Sequence, residues 1–198
     1  MIPPKDHIKE KERLAELESY SILDTLPEED YDNLTAIAAE ICGTPLSLVS
    51  LLDDKRQWFK SHHGLGASET PKEFAFCAHA INEDDDIFIV QDSRTDERFH
   101  DNPLVIGDPR VIFYAGIPLI TENGLPLGTL CVIDHKPKLL SQDQMNSLKA
   151  LSQQVMNLLQ LRKCNMLLEK SVEDLKEKNE ELEQFAYIAA HDLKSPLN

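Results

Sequence analysis

Near the end of the chain His191 and Asp192 stand side by side, with Pro196 shortly after. A carboxylate that accepts the Nδ1 proton of an imidazole leaves the Nε2 lone pair free to attack a phosphoryl group. Proline lacks a backbone donor and bends a helix, so Pro196 should kink the chain about one turn beyond His191. An exposed His, an adjacent carboxylate and a nearby kink together describe a phosphoacceptor on a helical bundle. The other candidates for chemistry are weaker. Cys42, Cys77, Cys131 and Cys164 form no CxxC pair, and the expectation for each is a small buried apolar side chain. Cys77 and His79, two residues apart, fall on nearly opposite faces of a helix, and His62 and His63 on opposite faces of a strand. Neither pair has the spacing of metal ligands, so no metal is expected.

The elements that must position these residues follow from periodicity. Lys5 to Ser19 is charged and helix-permissive, with Ile8, Leu14 and Leu17 as its apolar contacts. Thr25-Leu-Pro-Glu28 has the form of a capping box, and Leu34, Ile37, Ala38 and Ile41 then share a helical face up to Gly43. Leu46 to Leu52 reads as a strand, turned by Asp53-Asp54-Lys55 into Gln57 to Lys60. Thr70-Pro-Lys-Glu73 is a second capping box, opening a short helix with Phe76, Cys77 and His79. Ile87 to Val90 is a short strand, and Asp92 to Pro109 is irregular. Val111 to Ile120 and Leu125 to Ile133 form a hairpin through Asn123-Gly124. About five hairpin-joined strands with helices at both ends make an α+β fold, a central antiparallel sheet flanked by helices.

Composition changes at Ser141. All 7 glycines and 10 of the 11 prolines precede it. Ser141 and Gln144 form a third capping box, and the helical pattern runs on to Leu197, about 80 Å of helix. From Leu158 the a positions of a heptad are Leu158, Asn165, Val172, Asn179, Ala186 and Leu193. The d positions are Leu161, Leu168, Leu175, Leu182 and Ala189. Asn at a fixes register and favours a parallel dimer. A homodimer through Leu158–Leu193 is therefore expected, with His191 at position f, opposite the seam.

The 198 residues carry 20 Lys plus Arg against 35 Asp plus Glu, a net charge of −15. That balance argues against a nucleic-acid binder, which needs clustered Lys and Arg to neutralise phosphates. No apolar run approaches the roughly 20 residues of a membrane span, and the N-terminus has no signal-peptide core. The expected location is cytoplasmic.

Two resemblances sharpen this reading. Phe185-x-x-x-x-x-His191-Asp192-Leu193-Lys194-x-Pro196-Leu197 resembles the H-box of sensor histidine kinases, in particular the phytochrome-like and hybrid kinases. It implies that His191 is the phosphoacceptor and Asp192 its general base, and that the partner is a response-regulator receiver domain. ATP would act only through a catalytic domain absent from this chain. Ser195 stands where Thr or Asn commonly supports phosphatase activity in that family.

Residues from about 5 to 140 resemble GAF domains through Tyr20-x-Ile-Leu-Asp-Thr25, Val49-Ser-Leu-Leu-Asp53, Arg56-Gln-Trp-Phe-Lys60 and Phe76-Cys-Ala-His79. The likeness continues in Arg98-Phe-x-Asp-Asn-Pro-Leu-Val105, Phe113-Tyr-Ala-Gly-x-Pro-Leu119 and Leu127-Gly-Thr-Leu-Cys-Val-Ile-Asp134. It implies an antiparallel sheet with the N-terminal and exit helices on one face and a small-molecule pocket on the other. Phe76, Cys77, Asp92, Arg98, Phe99 and Tyr114 are its candidate lining, and the ligand is not specified. A tetrapyrrole-binding relative would usually place His directly after its Cys, whereas Ala78 separates Cys77 from His79. The cyclic-nucleotide signature Asn-Lys-x-Phe-x-Asp-Glu does not occur. The resulting organisation is a sensor domain over 1–140, a coiled coil over 141–184, and the start of a phosphoacceptor domain over 185–198. Two alternatives stand beside a kinase input: a GAF-fold dimeric interaction or ligand-binding module, and a GAF-fold thiol reductase. The reductase requires an exposed thiol of low pKa.

Overall fold

The computed structural model describes residues 1–83 and 85–194, of which 190–194 are described by backbone alone. Two helices open the chain, α1 (Glu10–Ser19) and α2 (Glu29–Cys42). The hairpin β1 (Leu46–Leu52) and β2 (Arg56–His63) follows, then β3 (Glu69–Pro71), a 3-10 turn at Lys72–Phe74 and α3 (Phe76–Ala80). Next come β4 (Phe88–Val90), α4 (Pro103–Ile106), β5 (Phe113–Ile120) and β6 (Pro126–Asp134). The last element is α5 (Gln142–Lys194). All strand pairs are antiparallel, in the order β3-β2-β1-β6-β5-β4. The fold is the expected α+β one with six strands rather than about five. The extra strand, β3, lacks the apolar alternation that would announce it.

Strand alternation sorts the core onto two faces. On one, Val49, Leu51, Phe113, Ala115 and Ile117 meet Leu17 of α1, Ala38 and Cys42 of α2, and Leu148, Val155 and Leu159 of α5. On the other, Leu46, Leu48, Tyr114, Cys131 and Ile133 meet Phe76 of α3, Phe99 and Val105. Gly128 in β6 sits so close to the Ser50 carbonyl of β1 that a Cβ would collide with it, which explains a glycine inside a buried strand.

Of the three capping boxes, one forms. Gln144 N donates to Ser141 Oγ (3.2 Å) and Ser141 N to Gln144 Oε1 (2.9 Å), opening α5. At Thr25 a distant side chain wins instead. Lys60 is the unpaired residue of a bulge in β2, and its buried ammonium donates to Thr25 Oγ1 (2.9 Å), Leu26 O (2.7 Å) and Glu28 Oε1 (2.6 Å). Thr70 is consumed by β3, where it pairs with Gln57, and α3 waits until Phe76. The buried face of α2 is also rotated from the expected one. Tyr31, Thr35, Ala38, Ala39 and Cys42 face inward while Ile37 and Ile41 are exposed. The cause is polar: Thr35 Oγ1 shares a hydrogen bond with Ser61 Oγ (2.8 Å), which also donates to Asp32 Oδ1 (2.6 Å). Gly43 closes α2 at φ 58°, a left-handed cap as expected. Ile8, an expected contact of the first helix, is exposed, and Arg13 is buried there instead.

Contacts divide the chain into two compact units, Met1–Leu159 and Gln160 onward. The opening turns of α5 therefore belong to the core of the first unit. Along the rest of the helix Leu161, Leu168, Leu175 and Leu182 are each 57–66% exposed. Among the described residues no helix is long and apolar enough to cross a membrane.

Candidate functional site

On the α3 side of the sheet the strands leave a cavity of about 150 Å³. Its floor is Leu48 of β1, Gln57 and Phe59 of β2, Tyr114 of β5 and Ile133 of β6, with Phe76 of α3 beside them. Its walls are Leu65, Ala67 and Thr70 from the β2–β3 segment, and Leu104, Asp108, Pro109 and Val111 from α4 and the approach to β5. Floor residues alternate along each strand, so sheet register aims them at the cavity.

Two of the six expected lining residues, Phe76 and Tyr114, reach it. Phe99 is fully buried behind Phe76, stacked with ring centroids 4.0 Å apart and planes 8° apart. Phe76 stacks in turn on Tyr114 at 5.2 Å. Such pairs contribute about 1 kcal/mol each beyond area burial, enough to fix the floor rings in place. The Tyr114 hydroxyl is engaged with Thr129 Oγ1 (3.0 Å), and burial pushes its pKa well up, so it is a neutral hydrogen-bonding group.

The remaining three do not line the cavity. Cys77 packs in a small separate cluster with Leu52, Ala75, Ala78 and Ile81. Asp92 is paired at the surface with Arg94 (2.8 Å). Arg98 bonds Asp96 (2.7 Å) and lies over the rings of Phe88 (4.9 Å) and Phe99 (5.3 Å). This covers the outer side of the aromatic cluster rather than presenting a cation to a ligand. His79 meets the edge of Phe99 at 4.8 Å, and burial followed by the Arg98 charge lowers its pKa. Cys77 and His79 thus occupy different surroundings, as their helical spacing requires.

The buried thiols are poor nucleophiles. Burial raises Cys42 to about 11 and Cys131 to about 12, and pushes Cys77 higher still. Those three are buried as expected, whereas Cys164 is exposed on α5, because that part of the helix has no core to enter. None of the buried thiols offers the low pKa that a reductase needs. Among the described residues no three His, Cys, Asp or Glu come together as a metal site. His191 and Asp192 fall in the last turns of α5, and their side chains lie outside the described residues, as do Ser195 and Pro196.

A six-stranded antiparallel sheet with three helices on one face and a roofed apolar cavity on the other defines the class of domain. The GAF domain profile matches residues 26–159, and the chain belongs to that family. A cyclic di-GMP phosphodiesterase of Pseudomonas aeruginosa is 43% identical over 129 residues, 65% of this chain. The chain spans only 22% of that relative's length. Among solved structures, the blue-light-absorbing form of the PixJ GAF domain of Thermosynechococcus elongatus superposes with a TM-score of 0.56 at 15% identity. That match covers 83% of this chain and 96% of that one. A domain of a two-component sensor histidine kinase protein from Sinorhizobium meliloti gives 0.54 at 12% identity, covering 74% and 99%. At these identities the structural matches establish the fold.

Proposed function

We propose that this chain is the sensory and dimerisation part of a sensor histidine kinase. A small molecule in the GAF cavity is the signal, α5 is the dimer axis, and His191 passes a phosphoryl group to a receiver domain. The observation that supports this most is α5 itself. Within the first unit its inward residues are Leu148, Ser152, Val155 and Leu159. In the second unit Leu161, Leu168, Leu175 and Leu182 of the heptad that begins at Leu158 are exposed. The helix thus gives a core face to the first unit and carries an exposed leucine stripe in the second. Exposed leucines repeating every seven residues call for a second copy as partner.

The output is tested at His191. With a kinase ATP-binding domain supplied in trans, the chain should gain acid-labile, base-stable phosphate. His191→Gln should abolish the label and Asp192→Asn should slow it. Leu168→Asp with Leu175→Asp should convert a dimer into a 22.4 kDa monomer by sedimentation. Labelling elsewhere, or a wild-type monomer at tens of micromolar, overturns the reading. A second reading, a GAF input unit serving a different output, is favoured by the 43% identity to part of a cyclic di-GMP phosphodiesterase. It predicts a dimer that takes no phosphate at His191.

A further inference from the structure

We propose that the cavity takes a neutral, single-ring aromatic molecule bearing one hydroxyl or amino group. The proposal rests on the reading of the domain as a ligand sensor and adds the class of ligand.

Size sets the first limit. A cavity of about 150 Å³ matches an engineered one that holds benzene, and it falls well below the roughly 300–1,000 Å³ of sites for drug-sized ligands. A tetrapyrrole or a cyclic nucleotide does not fit within it. Charge sets the second. None of the described residues lining the cavity is Lys, Arg or His, and the ionisable group at its rim, Asp108, is acidic. A phosphate or a carboxylate would lose its hydration there without a compensating cation.

Shape and polarity set the third. Phe59, Phe76 and Tyr114 present rings to the space, and Phe76 is itself held in a stack. A further flat ring can join these offset or edge-on. On the floor beside Phe59, Gln57 Oε1 accepts from the Thr70 hydroxyl at 3.3 Å, long for a bond between these groups. Gln57 is nearly buried and neutral, so a ligand hydroxyl or amino group can replace that weak bond with a better one. The Tyr114 hydroxyl, already bonded to Thr129, is not available for the same role.

The experiment is an NMR titration of the full chain with phenol, with biliverdin and cyclic GMP as oversized probes. Phenol should shift the ring resonances of Phe59, Phe76 and Tyr114 saturably, and the larger probes should not. Ala67 is exposed on the outer wall, so Ala67→Trp can fill the cavity without disturbing the sheet, and should abolish the phenol shifts. Gln57→Leu should weaken phenol by about tenfold and leave toluene unchanged. Phenol binding that survives Ala67→Trp overturns the site, and failure of phenol to bind overturns the class. Saturable biliverdin or cyclic GMP binding at these rings also overturns the class while the sensory reading stands. Phenol binding as expected, with His191 labelling and dimer affinity unmoved, leaves the class in place and refutes the sensory reading.

Discussion

Arg13 shows how a single residue can be misread from sequence and what it does once placed. In a charged helix it passes for a solvated side chain, yet it is fully buried. Its Nη1 donates to the Leu52 carbonyl of β1 (2.7 Å) while Nε and Nη2 grip both oxygens of Glu10 (2.8 Å each). Lys72 joins from the 3-10 turn at 2.8 Å. Burial by itself would raise the Glu10 carboxyl, but the bonds from Arg13 and Lys72 outweigh it and hold the group at about 2 instead of its ordinary 4.5. A carboxyl depressed in the folded state stabilises fully above its unfolded value. Stability should therefore be lost as pH falls from about 4.5 through about 2, and Glu10→Gln should flatten that part of the urea-midpoint profile. Arg13→Ala strands the Leu52 carbonyl and leaves Glu10 with Lys72 alone, and should cost about 3 kcal/mol, measured by the same denaturation. The cavity was half legible for a similar reason. Phe76 and Tyr114 stand out by type, but Gln57, Leu65 and Ala67 carry no signal until the register of β2 and the path to β3 are known. Asp92 and Arg98 drew notice as charges, and each is paired with a residue two positions away, Arg94 and Asp96.

At the level of elements, periodicity served best where one rule acts alone. Leu46–Leu52 is the strand as read, and the box at Ser141 opens its helix, because the distant bond there, Gln144 Nε2 to Ile41 O (2.9 Å), leaves Gln144 Oε1 to the box. Where a tertiary partner intervenes, the local pattern loses. Lys60 takes Thr25 and Glu28, and the buried Thr35–Ser61 pair turns α2 away from Ile37 and Ile41. The long helix carries its own prediction. Two residues inserted near Lys170 rotate everything beyond by about 200°, whereas four restore the seam to within about 40°. In a kinase context the first insertion should uncouple His191 labelling from the sensor and the second should do so much less. If both leave regulation intact, α5 is a passive tether.

Over the whole molecule, stability should be unequal. The sheet and the turns of α5 up to Leu159 share one buried core, while the described residues of the unit from Gln160 onward are a single helix. A lone helix in water is marginal. Amides between 161 and 189 should exchange slowly at high protein concentration and quickly on dilution, and those of β1 and β6 should be indifferent to it. Exchange in 161–189 that does not change with dilution would argue against self-association there. The asymmetry of the cavity bears on how such a domain can diversify. Leu65, Ala67, Leu104, Asp108 and Pro109 lie outside the strands, on segments free of the sheet's register. Substitutions there can enlarge, narrow or recharge the chamber while the hydrogen-bond ladder and the helix-bearing face stay unchanged. A library confined to those five positions is thus a direct route to domains of altered chemical preference on an unaltered scaffold.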